Sequence, residues 1–225
     1  LLKGRLTITA DYFRYLRSDI LAKRNASIPL FTGMSLPDEN IGRSLNRGFD
    51  FSVAYTDKVG DLDYSIGANV TYAKSKVLFR DEASAIPEWQ KLQGYPIDSW
   101  LLYATNGIYR TQDEINNSPH LPGARVGDLW IKYIDGNKSI TANDQMRTYL
   151  SATPKLVYGF NLGLSYKGVS LNALLSGQAM AKQLINSQIQ GSLIAPPQWL
   201  YDGRWTTDNN NSEYPRAFNS NSVNA

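Results

Sequence analysis

Cysteine is absent from this chain of 225 residues, which excludes disulfide bonds and thiolate metal sites. Long apolar runs are absent as well, and none approaches the roughly 18 to 20 residues that a membrane-spanning helix requires. Neither sign of charge is in large excess, because 23 Lys and Arg face 20 Asp and Glu, and the basic residues form no stripe. Nucleic acid is therefore not a predicted partner.

Residue patterns that carry catalysis are also missing. The single histidine, His120, lies in the turn-rich stretch NSPHLPG, where a solvated loop side chain is the expected role. The carboxylate pairs Asp81–Glu82 and Asp113–Glu114 are sequence neighbours on polar segments, whereas a glycosidase needs two carboxylates that converge across a sugar. No nucleophile elbow, phosphate loop or metal-pair spacing occurs. The sequence predicts no catalytic residue, no cofactor and no enzyme activity.

What the chain does contain is an alternation of apolar and polar residues with a period of two, which is typical of β-strands. One line of residues 158–166 is bulky and apolar: Tyr158, Phe160, Leu162, Leu164 and Tyr166. The same alternation recurs at residues 6–12, 49–56, 64–72 and 169–176. A helix is indicated only at TQDEI, where Thr111 and Glu114 have the spacing of a capping box. The chain is therefore predicted to be all-β.

Short and long connections alternate along the chain. DKVGD at residues 57–61 and KG at residues 167–168 are short and contain glycine, which readily supplies turn geometry. The connections at residues 19–44, 78–153 and 178–225 are long and polar, which is uncommon inside a compact soluble domain. Bacterial outer-membrane barrels combine short periplasmic turns with long extracellular loops.

The apolar lines are predicted to face the lipid of a membrane. Strands of an outer-membrane barrel carry an apolar band with aromatic residues at both interfaces, and their other face is polar. Residues 64–72 and 158–166 each begin and end with Tyr, which spans roughly 20 Å at about 3.3 Å per residue and a tilt of about 40°. The side chains expected on this outward, lipid-facing surface are Phe51, Ile66, Val70, Phe160, Leu162 and Leu164. Those expected to face a polar lumen are Asn69, Asn161 and Asn172.

Two other classes of protein stay open at this point. Strands of a soluble β-sandwich also alternate, so a carbohydrate-binding module at the cell surface, with tryptophans as a stacking platform, is the main alternative. A cell-surface enzyme is a more distant one. A sandwich would enclose the apolar side chains between two packed sheets, whereas a barrel would place them on its outer surface.

Four stretches together resemble the SusC/RagA-type TonB-linked outer-membrane transporters. They are GRSLNRGFDFSVAY at residues 42–55, GYPIDSWLLYATNGIYRTQDEI at 94–115, YGFNLGLSYKG at 158–168 and GRWTTDNNNSEYPR at 203–216. These stretches keep the order that they have in the family and extend over most of the chain. No single one of them would be specific, but the set is.

The resemblance implies a fold, a function and partners. It implies that residues 1–225 are part of one antiparallel transmembrane β-barrel domain, a fragment from the C-terminal part of a 22-stranded barrel in the outer membrane of a Gram-negative bacterium. Such proteins import oligosaccharides or peptides under a SusD-like surface lipoprotein lid, with energy supplied through TonB. We find no plug, TonB box or C-terminal aromatic strand in these residues. We expect both ends to continue in a longer protein, and we do not expect this piece to transport by itself.

The family often carries a loop with calcium-ligand spacing before the YGFN strand, and this sequence departs from it. The stretch YIDGNKSITANDQ has fewer carboxylates than the family pattern, and calcium favours six to eight oxygen ligands with several charges. We therefore predict a polar turn and no metal, with three weak candidate ligands: Asp135, Asn137 and Asp144.

The alternation of short and long connections also predicts a topology. If the short turns are periplasmic, the strand from Leu62 ascends and the strand from Leu156 descends, so residues 78–153 begin and end outside. We expect this segment to be an extracellular loop insertion, and about five strands to span the membrane. Five loop tryptophans are candidates for contact with substrate or lid, with packing inside the loop layer as the alternative: Trp89, Trp100, Trp130, Trp199 and Trp205.

Overall fold

The computed structural model describes residues 2–24, 36–183 and 197–217, and most of the ordered structure in them is antiparallel β-sheet. In chain order the strands are β1 (Leu6–Ala22), β2 (Glu39–Val59), β3 (Leu62–Phe79), β4 (Leu101–Tyr103), β5 (Thr105–Ile108), β6 (Leu129–Ile131), β7 (Gln145–Arg147), β8 (Leu156–Tyr166) and β9 (Val169–Ala179). Five of them form one sheet in the order β1-β2-β3-β8-β9. The prediction of an all-β chain with antiparallel strands is confirmed.

The helices within the described residues are short. They are α1 (Gln112–Asn116) and α2 (Gln198–Gly203), together with 3₁₀ turns at Leu2–Gly4, Glu88–Gln90 and Ala142–Asp144. Helix α1 begins where the sequence predicts it, because Thr111 and Glu114 form the complete capping box. Among the described residues no helix is both long enough and apolar enough to cross a membrane.

The chain divides into two compact units. The sheet unit comprises the described residues of Leu1–Ile86, Lys91–Trp100 and Tyr149–Gln183, and it contains β1, β2, β3, β8 and β9. The loop unit comprises those of Pro87–Gln90, Leu101–Thr148 and Leu184–Ala225. Because β3 pairs directly with β8, the chain between them is an insertion between two neighbouring strands. That residues 78–153 form an extracellular loop stays a prediction.

The register of the large sheet aligns the apolar lines of its strands on one face. Phe51 lies opposite Val70, and Ile66 lies opposite Leu162. Directly opposite residues of an antiparallel pair share a face. The same register brings Phe160 opposite Ala68 and Leu164 opposite Tyr64, so all six residues predicted to face lipid lie together. Ile66 and Phe160 are each 41% exposed, so this face is open. Its contact with lipid stays a prediction.

Aromatic residues border the apolar face at both ends of the strands. Tyr12 lies opposite Phe49, and Phe49 lies opposite Tyr72, with the last two rings stacked at 5.7 Å. This aromatic row lies toward the long connections. At the end of the short turns, the rings of Tyr55 and Tyr64 approach to 6.0 Å. The two aromatic borders have the arrangement of the girdles in barrel strands.

The opposite face of the sheet is polar and flat where β3 pairs with β8. Asn69 lies opposite Gly159 and Asn161 opposite Gly67, and each amide side chain lies over the glycine of the partner strand. A Cβ atom at Gly159 would lie 2.5 Å from Asn69 Oδ1, so a larger residue would displace the amide. Asn172 on β9 is on this same face. That the face borders a lumen stays a prediction.

Both short connections are two-residue turns. Lys167 and Gly168 have φ values of 47° and 85°, as a type I′ hairpin turn requires at both central positions. Between β2 and β3 the turn is Gly60–Asp61, with Gly60 at φ 61°. The stretch DKVGD is therefore mostly strand, since β2 continues to Val59.

The first long connection is shorter than the sequence predicts, and the bounds 19–44 are wrong. Strand β1 continues to Ala22 and β2 begins at Glu39. The register shifts between Arg17 and Ile20, and Asp19 has φ 57°, as expected for a β-bulge. Backbone pairing resumes after the bulge although the apolar alternation has ended. Residues 25–35 of this connection lie outside the described residues.

Candidate functional site

The loop unit is built on two small ladders, in which β4 pairs with β7 and β5 pairs with β6. Its apolar interior contains Ile108, Tyr109, Ile115, Ile131 and Ile140, all of them buried. Tyr109 is 1% exposed, and its ring stacks on Trp130 with 5.3 Å between centroids. Burial raises the pKa of the Tyr109 phenol, so the ring stays neutral in the physiological range. Because its ring stacks on the buried Tyr109, Trp130 has a packing role.

Trp205 also packs within the loop unit. Its ring lies against Gly127, where a Cβ atom would come within 2.8 Å of Trp205 Cδ2. Gly127 has φ 92°, a conformation that favours glycine for a second reason. Trp205 Nε1 donates a hydrogen bond to Asn210 Oδ1 at 3.0 Å, so the polar end of the indole is also satisfied. This contact braces the segment GRWTTDNNNSEYPR.

A buried ion pair joins this segment to the strand that follows Gly127. Asp128 is fully buried, and Arg216 Nε lies 2.6 Å from its Oδ1. Arg216 Nη2 and the Arg125 backbone N–H both donate to Asp128 Oδ2, at 3.3 and 2.8 Å. A buried carboxylate without such partners would be strongly destabilising. The pair therefore fixes residues that are 88 positions apart in the sequence.

The remaining tryptophans differ in exposure. Trp89 Nε1 donates to the Asn143 carbonyl at 2.8 Å, within the loop unit. Trp100 belongs to the sheet unit, where its backbone N–H donates to the Leu150 carbonyl. Trp199 is the most open of the five, at 49% exposed. Trp130 and Trp205 both lie in the loop unit, where Trp205 packs on Gly127, three positions before Trp130. That all five tryptophans cluster on the extracellular side stays a prediction.

Trp199 of α2 and Tyr214 form an exposed aromatic patch that we call the Trp199 patch. Trp199 meets Tyr214 edge to face at 5.5 Å, and Tyr201 and Tyr214 are 48% and 41% exposed. The Arg204 guanidinium lies 3.6 Å from the Tyr201 ring centroid. Neither Tyr201 nor Tyr214 was predicted as a site residue, although the stretch QWLYDGRW is rich in aromatic residues. Open aromatic faces of this kind can stack on sugar rings or apolar side chains.

The weak metal candidates have other roles in the structure. Asp144 is fully buried, and its carboxylate accepts backbone N–H groups from Ile134, Asp135 and Thr141 at 2.7, 3.2 and 2.8 Å. Asp135 accepts from the backbone N–H and the side chain of Asn137. A calcium ion would have to displace these donors. Among the described residues no group of three or more His, Cys, Asp or Glu could hold a metal ion.

The Asp144 carboxyl is charged in this setting. Burial by itself raises its pKa, but the hydrogen bonds from Thr141, Ile134 and Asp135 outweigh burial and hold the pKa below its usual value. Asp144 thus organises the loop from Tyr133 to Asp144 as the acceptor at its centre. The spacing of Thr141 and Asp144 is that of a capping box, so the sequence did carry a signal for one of these hydrogen bonds. The bonds from Ile134 and Asp135 had no such signal, because their donors are backbone groups ten and nine positions away.

No protein-family model matches this chain. Two curated proteins, however, match nearly its whole length. It is 26% identical over 231 residues to TonB-dependent receptor P3 of Formosa agariphila, and 24% identical to TonB-dependent receptor P26 of the same organism. The matches cover 96% and 95% of this chain but 23% of each relative, so the chain spans about a quarter of their length.

Solved structures agree in fold. The RagAB peptide transporter superposes with a TM-score of 0.65 over 95% of this chain and 24% of that one, at 20% identity. The RagAB peptide importer in its open-open state gives a TM-score of 0.69 over the entire chain, again at 20% identity. The predicted fold, a fragment of an antiparallel β-barrel, is confirmed.

We predict that Asp144→Asn destabilises the loop unit by about 1–3 kcal/mol, because backbone donors lose a charged acceptor in a buried place. A carboxyl with a lowered pKa stabilises the fold above its unfolded value of about 4, and this contribution is lost as pH falls through the folded pKa. The stability of the variant should therefore fall less than that of the wild type as the pH is lowered. Hydrogen exchange at Ile134 and Thr141 measures both effects, with Asp208→Asn as the exposed control. Equal protection in the two variants at neutral pH would contradict this role for Asp144.

Proposed function

Because the resemblance to SusC/RagA-type TonB-linked transporters is confirmed along nearly the whole chain, we propose that the full-length protein imports a nutrient across the outer membrane of a Gram-negative bacterium. The observation that carries this proposal is the sheet of β1, β2, β3, β8 and β9, with one open apolar face and one polar face. Lipid can cover the first face and a water-filled lumen the second.

The edges of the sheet support the placement in a longer barrel. Strands β1 and β9 each have one neighbour in the sheet that the described residues form. Within a bilayer every backbone polar group needs a partner, so both edges require further strands. A chain that spans about a quarter of its relatives can obtain them from the rest of the protein. Import would then use a plug and TonB for energy, as the resemblance implies.

The loop unit is the part that we place outside the cell, facing the substrate and a SusD-like lipoprotein lid. Its buried Asp128–Arg216 pair and its packed Trp130 and Trp205 make it a rigid support. The Trp199 patch is the candidate for contact with cargo, since it is open while the other loop-unit tryptophans are engaged. An oligosaccharide or a peptide fits it, because both present faces that stack on aromatic rings. The solved structures on which the chain superposes are those of the RagAB peptide transporter and importer.

The open apolar face of the sheet argues against the alternative of a soluble β-sandwich. A sandwich encloses its apolar residues, whereas Phe51, Ile66 and Phe160 are open in this structure. The curated relatives are named receptors and the solved neighbours transporters, which also supports a role other than catalysis.

We expect Trp199→Ala and Trp205→Ala to have opposite effects in the full-length transporter. Trp199→Ala should weaken cargo binding by about two- to tenfold, the value of one aromatic contact, without loss of stability. Trp205→Ala should cost about 1–3 kcal/mol of stability by removing packing over Gly127. Uptake of labelled cargo and thermal unfolding of the purified variants separate the two, with Phe substitutions as controls. If Trp199→Ala lowers stability and leaves uptake unchanged, the patch does not bind cargo.

The orientation is testable by labelling single cysteines in this cysteine-free background. Asn116→Cys on the loop unit should react with a membrane-impermeant thiol reagent on intact cells. Asp61→Cys, in the turn between β2 and β3, should react only after the outer membrane is permeabilised. Exposed side chains at both positions make access the deciding factor. The reverse labelling pattern would show that the orientation is inverted and would remove the support for substrate contact by the loop unit.

A further inference from the structure

A row of cations crosses the apolar face of the sheet just beyond the aromatic row of Tyr12, Phe49 and Tyr72. Arg14 lies opposite Arg47, and Arg47 lies opposite Lys74. These three side chains, which we call the cation row, point from the same face as the apolar band, and all three are exposed. One position further along β3 on that face is another cation, Lys76, which lies opposite Leu45.

The cation row is unfavourable by itself. Like charges directly opposite each other on neighbouring strands are destabilising. Within residues 2–24, 36–183 and 197–217, no ion pair joins any of the three to a carboxylate. The nearest acidic residues along these strands are Asp11 and Asp50, which lie opposite each other. Each is three positions away from the cation row, an odd number, so their side chains belong to the polar face. An anion from outside the described residues would offset the repulsion.

The other end of the same strands shows a contrast. There Arg5 pairs with Asp57 at 2.8 Å, Lys58 with Asp63 at 3.2 Å and Lys167 with Asp61 at 3.9 Å. The chain therefore supplies a carboxylate for each of these cations near the short turns. Near the long connections the described part of the chain supplies none for the cation row, and the difference indicates a ligand at that end.

A cleft beside the cation row is lined by further cations. Its volume is about 300 Å³, and its charged lining consists of Arg47, Lys74, Lys76 and Lys155. Tyr72 and Tyr149 supply aromatic walls, and the Tyr149 ring is held against Tyr95 at 4.6 Å. Several ammonium and guanidinium groups around an aromatic cleft suit a phosphate on a ring-shaped headgroup.

We propose that the cation row and this cleft bind the phosphorylated headgroup of an outer-leaflet lipid, whose acyl chains lie on the apolar band below. The row is two residues beyond the aromatic row, about 6.6 Å at 3.3 Å per residue. If the aromatic rings lie at the membrane interface, the cations lie at headgroup level. The ligand is a lipid because apolar and cationic surfaces adjoin on one face, and this inference rests on the proposed function.

The test uses the full-length protein in detergent micelles and native mass spectrometry with three probes: lipid A that carries its phosphates, the same lipid dephosphorylated, and inorganic phosphate. Each cation near an anionic lipid contributes about fivefold in affinity, so R14Q/R47Q/K74Q should bind the phosphorylated probe about 100-fold more weakly. R5Q/K58Q/K167Q removes three cations at the other end and should bind as the wild type does. R14K/R47K/K74R keeps the charges and should also bind normally.

Three outcomes would overturn the proposal. They are equal affinity for the two lipid probes, unchanged binding by R14Q/R47Q/K74Q, and equally tight binding of inorganic phosphate, which would make this a site for the free ion. Recovery of each variant in the outer membrane and its cargo uptake are measured in parallel. If lipid selectivity is missing while import persists, this inference alone falls. If the wild-type protein is not found in the outer membrane, the proposed function falls.

Discussion

A β-sheet with one apolar face must have that face covered, and this requirement governs the sheet unit. Alternation on β2, β3 and β8, together with a register that is continuous from Ser44 to Val59 of β2 and along the pairing of β3 with β8, aligns Phe51 with Val70 and Ile66 with Leu162. A slip of one residue would turn every apolar side chain of a strand onto the polar face. The small residues of that polar face, with Asn69 and Asn161 folded over glycines, leave it flat. In the proposed function lipid covers one side and water wets the other.

The loop unit contains few strands, so other contacts must hold its irregular segments in place. Two buried carboxylates provide many of these contacts. Asp128 binds Arg216 and thereby joins distant segments, while Asp144 gathers three backbone N–H groups of one loop. The stacked Tyr109 and Trp130 fill the interior between them. A unit braced in this way can present the Trp199 patch at a fixed position, which lowers the entropic cost of binding.

The sequence predicted those parts of the structure that depend on local patterns. Alternation identified the five long strands, and the spacing of Thr111 and Glu114 identified α1, because both signals lie within a few residues. The end of β1 was wrong because backbone pairing continues past the bulge near Asp19 without an apolar pattern to mark it. The Asp128–Arg216 pair could not be predicted, since it depends on how two loops 88 residues apart fold together. The cation row likewise became visible only once the register had aligned Arg14, Arg47 and Lys74.

The central claim is that the two faces of the sheet meet different solvents. Spin labels test it in the full-length protein reconstituted in lipid bilayers. Each variant carries one labelled cysteine, and variants at adjacent positions are compared: 65 with 66, 69 with 70, and 161 with 162. The account predicts that labels at Ile66, Val70 and Leu162 collide with oxygen dissolved in lipid and are shielded from a water-soluble nickel reagent. Their neighbours should show the opposite preference. Equal access at neighbouring positions, or water access at Ile66, Val70 and Leu162, would contradict it.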